Sequence, residues 1–217
     1  MKVLLVEDDA GLREGMVELI SDLAVVREAG SVREALAALS EEAFSLVITD
    51  LRIGGSSDGG RTILEAARRR LHAVAVVSAA AQHEVVQVMR PHEPDAVLAK
   101  PFQLDDMLSL VEGFLSLQRE VEQAGQQRPG EAGWREVSEG VHVAEQVPGQ
   151  RAWVRMSAGS SFSWEVHRGR QGVLLVEGEL EVDGERRVGP HYFFLAAGPR
   201  PVRTRSGCLA VSLALRH

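Results

Sequence analysis

The stretch Leu46-Val47-Ile48-Thr49-Asp50-Leu51-Arg52-Ile53-Gly54-Gly55 decides how this chain is read. A short apolar and β-branched run ends on an acid, and a glycine pair follows the acid. A run this short, with no alternation of polar residues, fits a strand buried on both faces, the habit of parallel sheets covered by helices. The same form recurs over the first hundred residues. Val3-Leu4-Leu5-Val6 ends on Glu7-Asp8, Val74-Ala75-Val76-Val77 ends on Ser78, and Ala96-Val97-Leu98 leads to Lys100-Pro101. The carboxyl ends of parallel strands collect along one edge of the sheet, where such folds hold their ligands. Carboxylates, a hydroxyl and an ammonium are therefore expected in one crevice, which outlines a phosphoryl-transfer site.

Helical patterns fill the gaps between these runs. Asp9 suits an N-cap for a helix with Leu12, Met16, Leu19, Ile20 and Leu23 on one face. Ala24–Glu28 is a short second strand, and Ser31 caps a helix carrying Val32, Leu36 and Leu39. Residues 54–60 have the composition of a flexible loop. Helices follow through Ile63, Leu64 and Ala67, through Val85, Val86 and Met89, and from about Leu104 to Val121. Five βα units of this length predict an α/β doubly wound, five-stranded parallel sheet.

The chemistry of the crevice follows from its charges. Clustered carboxylates repel one another, and a hard divalent cation relieves the strain. Magnesium needs only one or two protein carboxylates beside water and phosphate oxygens. Asp50 can then act as the nucleophile toward a phosphoryl group, because positioning and charge neutralisation carry most of that reaction. The Ser78 hydroxyl can donate to the new phosphoryl oxygens, and Lys100 can pair with them as a point charge. Lys2 and Lys100 are the two lysines of the chain, all other basic side chains of this kind being arginine. Pro101 fixes the turn that aims Lys100, with a cis bond between them as one form of that turn.

In order and spacing, "LLVEDD", "LVITDLRIGG", "VAVVSAA" and "VLAKPF" make residues 1–118 resemble the receiver domain of bacterial two-component response regulators. The resemblance implies that Asp50 accepts phosphate from a partner histidine kinase. It implies that Glu7, Asp8, Asp50 and the backbone carbonyl of Arg52 hold Mg2+, and that Ser78 and Lys100 form the switch pair. Two departures stand out. Val97 occupies the position where the family often has Tyr or Phe, so the usual aromatic coupling device is altered or absent. Gly54-Gly55 replaces the usual Met-Pro after the acid.

Composition excludes several classes. Residues 1–118 carry a balance of −8 and residues 119–217 a balance of +1, within a whole-chain charge of −7. Neither half has the strongly basic surface of a nucleic-acid binder. No apolar stretch is long enough to span a bilayer, and no signal pattern precedes the first strand. Cys208 is the single cysteine, so neither a disulfide framework nor a thiolate zinc site is expected. A cytoplasmic location is the plain expectation.

Residues 119–133 are predicted as a linker that first continues the last receiver helix. Leu108, Val111, Leu115 and Val121 sustain an apolar stripe, and Gly125 and Pro129-Gly130 end it. By family resemblance this helix is also a candidate homodimer contact.

Residues 134–217 change character. Short β-type segments at Val137–Val143, Ala152–Met156, Gly172–Glu177, Leu180–Val182, Tyr192–Leu195 and Cys208–Leu215 are separated by glycine turns. That pattern predicts an all-β sandwich or barrel. No helix-turn-helix pattern occurs in this half, which argues against DNA binding as the output. Gly159, Glu165-Val166-His167, Gln171 and Gly178 fall at the spacing of the first motif of cupins, and Gly189 through Gly198 resemble the second. With "GVLLVEGELEVDGE", the half resembles the jelly-roll cupins linked to anti-sigma factors. In such a barrel, residues i and i+2 of a strand face one metal. Here the family's ligands are replaced by Glu165 and Gln171 around His167, and its last histidine aligns with Pro201. Glu165, His167 and Gln171, with His191 as a substitute, form a weakened second metal site. A barrel kept for binding a small ligand or a protein partner is the favoured expectation. A metal-dependent cupin enzyme gated by the receiver, and a pseudo-receiver scaffold, are the alternatives. Phe162, Trp153 and Trp164 suit either core packing or a ring-lined pocket. Arg186, Arg187, Arg200, Arg203 and Arg205 read first as solvated edge charge and second as a surface for an acidic partner.

Overall fold

The computed structural model describes residues 1–56, 58–147, 150–166 and 170–215. The chain forms two compact units, Met1–Leu115 and Ser116–His217.

The first unit alternates strand and helix: β1 (Lys2–Val6), α1 (Ala10–Ile20), β2 (Val25–Ala29), α2 (Val32–Glu41), β3 (Leu46–Thr49), α3 (Gly59–Arg69), β4 (Ala73–Ser78), α4 (Gln82–Met89), β5 (Ala96–Ala99) and the start of α5 (Leu104–Ala124). The strands form one parallel sheet in the order β2-β1-β3-β4-β5. This is the flavodoxin-like receiver architecture. The apolar runs behave as their composition requires. Val3–Leu5, Leu46–Ile48 and Ala73–Val76 are fully buried, each large aliphatic side chain contributing about 1.5–3 kcal/mol. Polar side chains close the helices. Asp9 Oδ1 accepts from Leu12 N at 2.8 Å and Ser31 Oγ from Glu34 N at 3.2 Å, caps worth about 1 kcal/mol each.

The α2 stripe is partly shifted from its prediction. Leu39 is buried and Val32 packs against the core as predicted, but Leu36 is exposed, and Ala35 and Ala38 are buried in its place, because α2 meets the sheet through these small residues. The glycine loop is also shorter than predicted. Gly59 and Gly60 form the first turn of α3. A Cβ on Gly60 would sit 2.4 Å from Asp50 O and 2.7 Å from Leu51 O, so the helix can start there only with glycine.

The boundary between the units falls within α5. Met107, Val111, Phe114 and Leu115 are buried in its first part, and Leu117, Val121 and Ala124 in its last turns. Those last turns belong to the second unit. A Cβ on Gly172 would lie 3.0 Å from Leu117 Cγ, and one on Gly125 2.5 Å from Leu174 Cδ2.

Among the described residues the second unit holds a short 3-10 turn (Glu131–Gly133) and nine strands: β6 (Arg135–Ser138), β7 (Val141–Val147), β8 (Arg151–Met156), β9 (Ser161–Val166), β10 (Gln171–Val182), β11 (Glu185–Val188), β12 (His191–Leu195), β13 (Gly198–Arg203) and β14 (Cys208–Ala214). All are antiparallel, in the order β6-β7-β8-β14-β10-β13-β9, with β11 and β12 also on β10. The result is a nearly closed antiparallel barrel consistent with a jelly roll. The predicted segment Val137–Val143 is two strands turning at Gly140 (φ +68°). The glycine turn predicted between Gly172–Glu177 and Leu180–Val182 lies inside the single strand β10. There the register with β14 shifts between Leu175 and Glu177, and Gly178 adopts φ +80°. A Cβ on Gly178 would fall 2.0 Å from Gly207 O.

The late arginines face acids. Arg186 pairs with Glu179, Arg203 with Glu181 at 2.5 Å, Arg200 with Asp183 at 2.9 Å and Arg187 with Glu185 at 3.4 Å. Arg186 and Arg203 are solvated, as edge charge requires, whereas the Arg187 and Arg200 side chains are largely covered.

Candidate functional site

The site is built from strand ends. β1 delivers Glu7, β3 delivers Asp50, β4 delivers Ser78, and the turn after β5 delivers Lys100. Backbone bonds lock these ends to one another: Asp50 N donates to Val6 O at 3.2 Å, and Lys100 N to Ser78 O at 2.8 Å. The Lys100-Pro101 peptide is cis. The Lys100 Nζ donates to Asp50 Oδ2 at 2.6 Å and to Glu7 Oε2 at 2.7 Å. Side-chain exposure falls from 18% at Lys100 and 17% at Asp50 to 4% at Glu7. The ammonium therefore bridges an accessible acid and a buried one.

Burial alone works to lower the Lys100 pKa, but its hydrogen bonds to Asp50 and Glu7 outweigh that and raise it above the usual 10.5. Lys100 is a fixed positive charge at any ordinary pH.

The neighbouring groups are held too. Arg52 N donates to Asp50 Oδ1 at 3.3 Å, which places Arg52 against the acid. Ser78 is buried, and its Oγ accepts from Ala80 N at 3.1 Å. Asp8 is exposed and turned to the loop after β3, accepting from Gly54 N at 2.8 Å. Arg13 supports the acidic end by donating to Glu7 O at 2.7 Å. Val97 is partly buried against the apolar core.

Glu7, Asp8 and Asp50 are hard oxygen donors, and two of them already converge on one cation, the ammonium of Lys100. Their chemistry fits Mg2+. As they stand, no three His, Cys, Asp or Glu side chains among the described residues are close enough together to hold a metal ion. Lys100 lies between two of the acids, and Asp8 is engaged by Gly54.

The weakened second metal site is only partly within the described residues. His167 and the side chain of Glu165 lie outside them. Gln171 and His191 are not brought together. Gln171 pairs with Leu195 and His191 with Leu175, a separation of four residues, or roughly 13 Å, along the strands. The Gln171 Oε1 instead accepts from Trp164 Nε1 at 3.3 Å. Burial, then the charge of Arg187, lowers the pKa of His191. Pro201 lies in β13 opposite Ser163. The aromatic residues favour packing: Trp153 is fully buried, and Phe162 lies 5.8 Å from Trp164.

Sequence reasoning missed three contributors: Arg13, the Asp8–Gly54 bond and Gly60. Only Gly60 left a signal, the acid-glycine-glycine run Asp58-Gly59-Gly60, whose composition favours a turn over a close approach.

No helix among the described residues is long and apolar enough to cross a membrane. The chain is 30% identical over 122 residues to the transcriptional regulatory protein PdtaR of Mycobacterium tuberculosis, covering 55% of this chain and 59% of that one. It is 37% identical over 117 residues to the response regulator protein FleR of Pseudomonas aeruginosa, covering 51% of this chain and 24% of that one. The chain thus spans little more than half of one relative and about a quarter of the other. A solved signal receiver domain from Vibrio parahaemolyticus superposes with a TM-score of 0.50 at 20% identity, over 58% of this chain and 98% of that one; this likeness concerns the fold. The response regulator receiver domain family matches residues 3–112, a span that contains every strand end described above. The chain belongs to the response regulators by its receiver domain.

Proposed function

We propose that this protein is a two-component response regulator in which Asp50 accepts a phosphoryl group from a histidine kinase and controls a cupin-like barrel used for ligand or protein binding. The observation that carries the reading is the bridge from Lys100 to Asp50 and Glu7 at 2.6 and 2.7 Å. The reading is supported by the meeting of the proposed nucleophile, a buried acid and a fixed cation at one point.

In the proposed transfer, an Asp50 carboxylate oxygen attacks the phosphorus of the kinase phosphohistidine. The new O–P bond forms as the N–P bond breaks, and the histidine nitrogen leaves with the electron pair. Lys100 then follows the charge, exchanging the carboxylate for phosphoryl oxygens. Ser78 donates its hydroxyl to another phosphoryl oxygen and gives up the local bond from Ala80. Glu7, Asp8, Asp50 and the Arg52 carbonyl are the groups to hold Mg2+, which when bound neutralises charge on the transferring phosphoryl group. Exchange at Lys100 and Ser78 shifts the population of receiver states. Val97 offers no ring to report that shift, so another element carries it; α5, which supplies buried residues to both units, is the proposed carrier.

Intact-mass measurement after incubation with acetyl phosphate and Mg2+ tests the reading. One phosphoryl group per chain is expected, and none on Asp50→Asn. Equal labelling of the variant and the parent, or no labelling of the parent, overturns it.

A further inference from the structure

The second unit carries a cleft of about 380 Å³ bounded by Arg128, Trp134, Arg155, Gly178, Gly207 and Cys208. That volume lies within the range of small-molecule sites. Its features are unlike those of an ordinary surface dip.

Arg155 stands on β8, across from Leu209 on β14. Its guanidinium lies 4.6 Å from the centroid of the Trp134 ring. A stacked guanidinium is held in orientation while its N–H edges stay free to make a fork with a carboxylate. The nearest acid fills that role poorly. Glu131 approaches Arg155 only to 3.5 Å and is 88% exposed. The second cation, Arg128, pairs with Glu177, and both side chains are more than half exposed. Solvated pairs of this kind are weak, so an incoming anion can displace either glutamate.

The floor is bare because it must be. Gly178 and Gly207 have φ of +80° and +93°, and their backbones approach too closely for a Cβ on Gly178. The remaining wall is neutral: Cys208 is buried, and burial pushes its thiol up to about 12.

We propose that this cleft binds a small organic carboxylate with a compact apolar body, the carboxylate on Arg155 and Arg128 and the body against Leu209 and the glycine floor. The proposal deepens the reading of the barrel as a ligand-binding effector and rests on it. The Arg155–Trp134 stack is the preformed part, and Glu131 is a built-in competitor for the same guanidinium.

Titration calorimetry on the unphosphorylated full chain with benzoate, phenylacetate and cyclohexanecarboxylate tests it, with benzamide as the neutral control. At least one carboxylate is expected to bind saturably below about 10 mM, and benzamide is not. Arg155→Ala is expected to weaken binding at least about tenfold, and Glu131→Gln to tighten it severalfold, an effect that a merely structural arginine would not produce. Absence of saturable binding by all three acids overturns the proposal, as does unchanged affinity in Arg155→Ala with circular dichroism unaltered. Failure here leaves Asp50 labelling untouched, and failed labelling leaves the calorimetry intact.

Discussion

The two units use their strands in opposite ways. In the receiver unit the strands act through their ends. Residues separated by 93 and 50 positions, Lys100 with Glu7 and Lys100 with Asp50, meet because parallel strands stop along one edge. In the barrel the strands act through their faces, and whether two residues meet depends on register. Gln171 and His191 lie on paired strands and still stand far apart. A site made of strand ends tolerates ignorance of register; a site made of faces does not.

The largest expected effect belongs to the receiver alone. Asp50→Asn abolishes labelling by acetyl phosphate, whereas His191→Gln leaves it unchanged. Labelling that responds equally to both changes would break the separation.

Steric substitutions probe the two scaffolds next. Gly178→Ala places a Cβ 2.0 Å from Gly207 O at a residue with φ +80°, and is expected to cost about 3 kcal/mol or more by combined overpacking and backbone strain. Gly60→Ala meets Asp50 O at 2.4 Å without positive φ, and is expected to cost about 2 kcal/mol while slowing labelling. Urea unfolding of both variants checks the ranking.

Lys100→Ala leaves Glu7 buried without its cation, an expected loss of about 2 kcal/mol. In the parent, the raised Lys100 pKa makes its contribution complete below the usual 10.5 and lost only as pH climbs through the higher folded value. Urea midpoints of parent and variant should therefore stay apart up to the usual 10.5 and draw together only above it.

In the barrel the pH effect has the other direction. The lowered pKa of His191 contributes stability above its ordinary 6.5, and the contribution is lost as pH falls through the lower folded value. His191→Gln should flatten that decline in urea midpoint. The smallest effect is expected at the late arginines. The side chain of Arg203 is 61% exposed, and Arg203→Ala should leave the urea midpoint nearly unchanged.

Legibility follows the same contrast. Asp50, Ser78 and Lys100 could be read because each terminates an apolar run, a signal carried by neighbours in sequence. Leu36 was misplaced because an amphipathic stripe fixes a face only to within about one residue when small alanines make the contact. Gly178 looked like a turn because composition marks where the backbone needs glycine, and cannot say whether a sharp reversal or a close crossing is the reason. The Asp8–Gly54 bond spans 46 positions and has no local pattern. In the barrel, register shifts at Glu136/Ser138, Glu145/Val147 and Leu175/Glu177 break the period-two reading of which side chains share a face.

β10 runs unbroken for 12 residues, its first part paired with β12 and β14 and its last with β11 and β13. Freeing either part breaks bonds that hold the other in place. The barrel should therefore melt as one body, without a half-open intermediate, and a load placed on the Gly178 crossing should be felt on both sides of it at once.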